Sequence, residues 1–122
     1  MTYIQNKYPM NLVPCHNDLK LNNFLKNCFE VFLLDWEYSG MCDLYFDLVN
    51  FVMTNTQNVD EEALFLNKYI KESQIVFNDE KYLLYKICTD YLWIHWHLIK
   101  FANSQNIVYN EKNGKNVLIE HY

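Results

Sequence analysis

His16-Asn17-Asp18-Leu19-Lys20-Leu21-Asn22-Asn23 and, ten residues further on, Leu33-Leu34-Asp35-Trp36-Glu37 carry the strongest signal in the chain. Phosphoryl transfer from a nucleotide needs a carboxylate that accepts or orients the acceptor hydroxyl. It also needs oxygen ligands for a divalent ion bridging the phosphates. One solution is an Asp, an Asn five residues later, and a second Asp beyond the next hairpin. Asp18, Asn23 and Asp35 stand in that order and at that spacing. An Asp–Asn pair in a polar loop is by itself ordinary turn chemistry; the complete ordered set is what carries information.

Working outward, residues 11–15 read as extended, because Pro14 disfavours helix at Val13. Residues 16–23 form a polar loop. Residues 24–27 and 30–34 are short apolar segments on either side of Asn27-Cys28, the pattern of a small hairpin. Residues 35–42 are a second polar loop containing Gly40. Helical signals follow. Asp43 can cap a helix running through Leu44, Leu48, Phe51 and Val52. Asp60-Glu61-Glu62 places acids at the start of a second helix, with Leu64, Tyr69 and Ile70 facing inward. Asn78-Asp79-Glu80 opens a third, longer helix that ends near Phe101, before a polar tail with a turn signal at Asn113-Gly114. The long helix has an aliphatic stripe (Leu83, Ile87, Tyr91, Ile94, Leu98, Phe101) and an aromatic one (Tyr82, Tyr85, Thr89, Trp93, Trp96), roughly 140° apart at 100° per residue. The aliphatic stripe reads as core; the aromatic stripe faces something else.

The chain has 122 residues, enough for one domain. Half of it (51%) is hydrophobic and 17% aromatic, more than generic packing asks for. A net charge of −5 argues against a nucleic-acid footprint and suits a cationic substrate or an acidic metal site. Cys15, Cys28, Cys42 and Cys88 show neither CxxC spacing nor a zinc pattern, so they read as free thiols, with Cys15, Cys28 and Cys42 as inert fillers. No apolar run approaches the ~20 residues of a membrane helix, and the N-terminal residues lack a signal core. The expectation is a cytoplasmic protein without a membrane span.

The run from His16 to Asn23, an apolar strand, then Asp35-Trp36-Glu37-Tyr38, resembles the choline kinase and aminoglycoside phosphotransferase group, which shares the protein kinase fold. Gly40-Met41-Cys42-Asp43-Leu44-Tyr45-Phe46-Asp47-Leu48 is similar to that family's G-x-x-D-x-x-F-D-L segment. Protein kinases usually carry Arg at the position of Asn17, so Asn there points to small-molecule acceptors. The resemblance implies an α+β fold, mainly α: the C-terminal lobe of a protein-kinase-like architecture, with a small β-hairpin carrying the catalytic loops. Residues 11–37 would hold those loops, 43–103 the helical substrate-binding part, and 104–122 the tail. It also implies roles. Asp18 would accept or orient the acceptor hydroxyl. Asn23 and Asp35 would bind Mg²⁺, with ATP as co-substrate. His16 would brace the catalytic loop and Asp47 tie it from the helix behind. Glu37 would assist a second metal or the substrate cation.

Trp93 and Trp96 lie three apart, on one helix face. Quaternary ammonium groups cannot donate ordinary N–H hydrogen bonds and are held by aromatic cages. The pair either lines such a site or packs against a neighbouring helix. Choline kinases have a similar W-x-x-W helix at the choline site, which favours choline as acceptor, with Tyr109 positioned to complete the cage. Ethanolamine or an aminoglycoside are the alternatives within the fold, and a non-catalytic binding remnant is the alternative outside enzymology. The resemblance also implies an N-terminal ATP lobe, with a phosphate loop and a Lys. Neither is found in these 122 residues, so that lobe is expected upstream or on a partner chain. Its absence is expected to expose apolar surface.

Overall fold

The computed structural model describes the backbone of residues 6–112 and the side chains of residues 6–104. It divides into two compact units, Met1–Thr89 and Asp90–Tyr122.

The first unit opens with β1 (Leu12–Cys15), followed by the polar loop and a 3₁₀ turn at Leu21–Asn23. The hairpin β2 (Phe24–Lys26) and β3 (Val31–Leu33) pairs Phe24 with Leu33 and Lys26 with Val31. Its turn is built by Asn27, whose Oδ1 accepts the amides of Phe29 (2.8 Å) and Glu30 (2.7 Å). Cys28 is exposed in this turn rather than filling a gap.

The second polar loop is shorter than the sequence suggests. Gly40–Asp43 forms a strand, β4, antiparallel to β1, with Val13 opposite Cys42. Gly-Met-Cys-Asp has no alternation of its own; its pairing partners lie 25 to 31 residues upstream, so only tertiary pairing makes it a strand.

Three helices follow: α1 (Leu44–Asn55), α2 (Val59–Ser73) and α3 (Asp79–Lys112). Asp43 caps α1, its Oδ1 accepting the Tyr45 amide at 3.1 Å. Asn58 caps α2 by accepting the Glu61 amide at 2.9 Å, and Glu61 returns a bond to the Gln57 amide. Asn78 caps α3 through the Lys81 amide. The third helix does not stop near Phe101 but continues to Lys112. No Gly or Pro interrupts residues 79–112, and Asn113-Gly114 is the first breaker.

Tyr45, Leu48, Val49 and Tyr82 form the buried core, packed by Phe65, Leu66, Tyr69, Phe77 and Tyr85 among others. The high aromatic content is spent here: Tyr45 stacks on Phe77 (5.5 Å), and Phe51 on Phe65 (4.3 Å) while meeting Phe24 edge-on. Two inward assignments are corrected. Leu64 is exposed, and Phe65 and Leu66 take its place on the inner face of α2. On α3 it is Tyr82, Tyr85 and Thr89 that face the core within the first unit, while Leu83 and Ile87 are exposed. Ion pairs set this rotation. Lys81 reaches the buried Asp43 at 2.6 Å, and Lys86 reaches Glu62 at 2.8 Å, fixing the 81/82/85/86/89 face inward. Burial would raise the Glu62 carboxyl, but hydrogen bonds from Lys86 and Tyr82 and the Lys86 charge outweigh it, leaving it below its ordinary value.

In the second unit Tyr91, Ile94, Leu98 and Phe101 are also exposed, so no part of the aliphatic stripe is core. Among the described residues no helix is long and apolar enough to cross a membrane.

Candidate active site

The polar loop of residues 16–23 is held chiefly by its backbone. Asp47, one turn into α1, accepts the His16 amide on Oδ2 and the Asn17 amide on Oδ1, both at 2.8 Å. Further along the same helix Asn50 accepts the Leu19 amide at 3.2 Å. Asn55 accepts the Leu21 amide at 2.9 Å and donates to the Leu19 carbonyl at 2.6 Å. Three polar side chains on one helix thus satisfy the polar groups of a loop that makes few ladder bonds of its own. Asp47 was legible in the sequence; Asn50 and Asn55 were missed. Asn50 stands among Leu48, Val49 and Val52 in the sequence, a setting in which an amide needs a partner, but nothing in the sequence names that partner.

His16 is 2% exposed and bridges the two loops. Its Nδ1 accepts the Asp18 amide at 3.2 Å, which leaves Nε2 as the protonated nitrogen, donating to the Leu34 carbonyl at 2.8 Å. Trp36 packs edge-on against the imidazole, with centroids 4.8 Å apart.

Asp18 and Asn23 are brought together. Asn23 Nδ2 donates to the Asp18 carbonyl at 2.8 Å and to Asp18 Oδ2 at 3.1 Å. Lys20 Nζ stands 3.4 Å from the same oxygen. Among the described residues nothing donates to Asp18 Oδ1. Asn23 is buried, and its amide orientation, set by Asp18, leaves its Oδ1 as the acceptor end.

The Leu34 amide donates to the Asn23 carbonyl at 2.7 Å, extending the hairpin register by one pair, Asn23 opposite Leu34, with Asp35 the next residue beyond it. Asp35 sits at φ 61°, a left-handed conformation that Asp tolerates better than most residues. Asp35 and Glu37 are both exposed. Among the described residues no group of three or more His, Cys, Asp or Glu side chains could hold a metal on its own.

Cys15 is buried behind this loop; burial first, then the Asp47 charge, pushes its thiol up to about 11, which makes it unreactive. In the second unit, Trp93 is half-buried and Trp96 is 51% exposed. Lys100 Nζ lies 3.9 Å from the Trp96 ring centroid. Tyr109 lies outside the residues whose side chains are described.

Residues 2–81 match the phosphotransferase enzyme family, and the chain belongs to that family. It is similar to the protein LicA of Haemophilus influenzae, with 36% identity over 104 residues, covering 78% of this chain and 38% of LicA. Among solved structures it is similar to the choline kinase LicA from Streptococcus pneumoniae, with a TM-score of 0.65 and 29% identity over 95% of this chain and 38% of that one. It is also similar to LicA in complex with AMP, with a TM-score of 0.68 and 30% identity over 84% and 36%. The chain therefore spans less than two-fifths of the length of each of these relatives.

Proposed function

We propose that this chain supplies the catalytic loops and acceptor-binding helix of an ATP-dependent kinase that phosphorylates the hydroxyl of choline. The observation that carries the reading is the Asp18–Asn23 hydrogen bond at the mouth of a hairpin whose far end leads into Asp35. The complete activity belongs to a protein that also contains the nucleotide lobe, upstream or on a partner chain.

Asp18 has one oxygen engaged by Asn23 and Lys20 and one left for a substrate. In the proposed reaction Oδ1 accepts the hydrogen bond of the choline hydroxyl, aims its oxygen at the γ-phosphorus and takes its proton. The new O–P bond forms as the bond from phosphorus to the β,γ-bridging oxygen breaks, and ADP leaves. Asn23 Oδ1 and an Asp35 carboxylate oxygen are hard donors, and such a two-residue set fits Mg²⁺, which takes its other ligands from phosphates and water. Bound there, Mg²⁺ would neutralise phosphate charge. His16 and Asp47 keep Asp18 in register.

Choline is favoured by the similarity to choline kinases and by the Trp96 face, which already takes the Lys100 ammonium. Each such contact contributes ~0.5–2 kcal/mol, according to desolvation. Ethanolamine would instead call on a carboxylate such as Glu37.

Calorimetric titration of the 122-residue chain with choline, ethanolamine and Mg-ATP separately tests this. Choline binding that is stronger than ethanolamine binding supports the reading. Preference for ethanolamine would move the acceptor, and binding of none would confine the function to a longer protein.

A further inference from the structure

We propose that Asn17 is a positioning residue: its carboxamide locks the loop carrying Asp35 and Glu37 onto the catalytic loop. The inference rests on the reading of those two residues as ion and substrate ligands.

That loop has two ends. Its first end is held by the hairpin and by Trp36, whose Nε1 donates to the Leu33 carbonyl at 2.8 Å and whose ring lies against His16. The stretch beyond it closes in a turn, with the Ser39 amide donating to the Trp36 carbonyl at 3.0 Å. Asn17 pins this second end. Its Nδ2 donates to the Tyr38 carbonyl at 2.8 Å and approaches Cys42 Sγ at 3.6 Å. Asp35 and Glu37 lie between the two anchors and are exposed, so the loop backbone must set where their carboxylates stand.

Asn suits the position for two reasons. Its φ is 68°, in the left-handed region that Asn tolerates and branched residues avoid. Its orientation is also forced, because a flipped amide would set Oδ1 against the Tyr38 carbonyl. In the orientation present, Oδ1 is buried without a hydrogen-bond partner. A side chain that leaves an acceptor unpaired in order to keep one donor is retained for that donor. Meanwhile the Asn17 amide is bound to Asp47, so one residue joins the helix, the catalytic loop and the post-hairpin loop.

Two variants separate donor from backbone. Asn17→Gly keeps the left-handed φ and removes the carboxamide; Asn17→Asp keeps size and φ tolerance but cannot donate. Hydrogen exchange would be followed by NMR in the 122-residue chain. The Ser39 amide should lose protection on the order of tenfold in both variants, while the His16 and core Val49 amides keep theirs. Mn²⁺, used as a paramagnetic probe and read by broadening of the Trp36 indole signal, should bind on the order of tenfold more weakly in both. Unchanged Ser39 protection in both variants overturns the proposal. So does loss at Ser39 with unchanged Mn²⁺ affinity, or parallel loss at Val49, which would mark a general structural role. If the unaltered chain binds no Mn²⁺, the kinase reading of Asp35 fails, while the Ser39 comparison still decides whether Asn17 is the clamp.

Discussion

Asp47 and Asp18 show how one residue type serves opposite ends of the site. Asp47 spends both oxygens on backbone amides, at His16 and Asn17. Replacing it with Ala leaves two donors without a charged acceptor and should cost about 2–4 kcal/mol, read as a lower urea midpoint for the isolated chain. Asp18 makes no backbone-holding bond with its side chain beyond Asn23. Asp18→Ala should therefore change stability by less than about 1 kcal/mol and leave choline binding in place. In a protein that contains the nucleotide lobe it should abolish phosphoryl transfer; turnover that survives would remove Asp18 from the role proposed for it. The bracing partners of Asp47 are backbone amides, whereas Asp18 keeps one oxygen without a donor among the described residues.

At the level of elements, α3 is docked by ions and tyrosines. Asp43 is 1% exposed and caps α1 while also binding Lys81 and the Asn11 amide. Lys81→Met should cost about 3–5 kcal/mol by leaving that carboxylate buried without its partner, and Asp43→Asn added to it should recover part of the loss. The Glu62–Lys86–Tyr82 contact between α2 and α3 carries a pH signature. Glu62 is held below its ordinary 4.5, so its contribution is present at neutral pH and disappears as pH falls through 4.5 and below. Tyr82 and Tyr85 titrate the other way. Burial, with Glu62 beside Tyr82 and Asp43 near Tyr85, raises both, Tyr85 to about 12. Their contribution is intact below pH 10 and is lost as pH rises above it. A stability profile measured by thermal unfolding should fall at both ends, and Glu62→Gln should flatten the acid limb; an unchanged acid limb would place the effect elsewhere.

For the whole molecule, the apolar surface left outside the core matters most. Leu83 and Ile87 are more than half exposed on the first unit. Ile87→Glu in this chain should shift stability by less than about 0.5 kcal/mol, and a loss above about 2 kcal/mol in chemical denaturation would show that the position is covered. The sequence by itself determined the polar loop of residues 16–23, the hairpin, the cap at Asp43, the start of α3 at Asn78-Asp79, and the family, because each rests on local chemistry: a spacing, a turn residue, a side chain that reaches its own backbone. It did not contain the pairing of β4 with β1 or the service of Asn50 and Asn55 to the loop, whose partners lie 25 to 36 residues away in the chain. Nor did it fix which stripe of α3 turns inward. Both faces of the helix carry apolar residues, and the inward one is the face whose Lys81 forms a buried ion pair with Asp43 and whose Lys86 forms a partly buried one with Glu62. Only the tertiary structure brings those charges within reach.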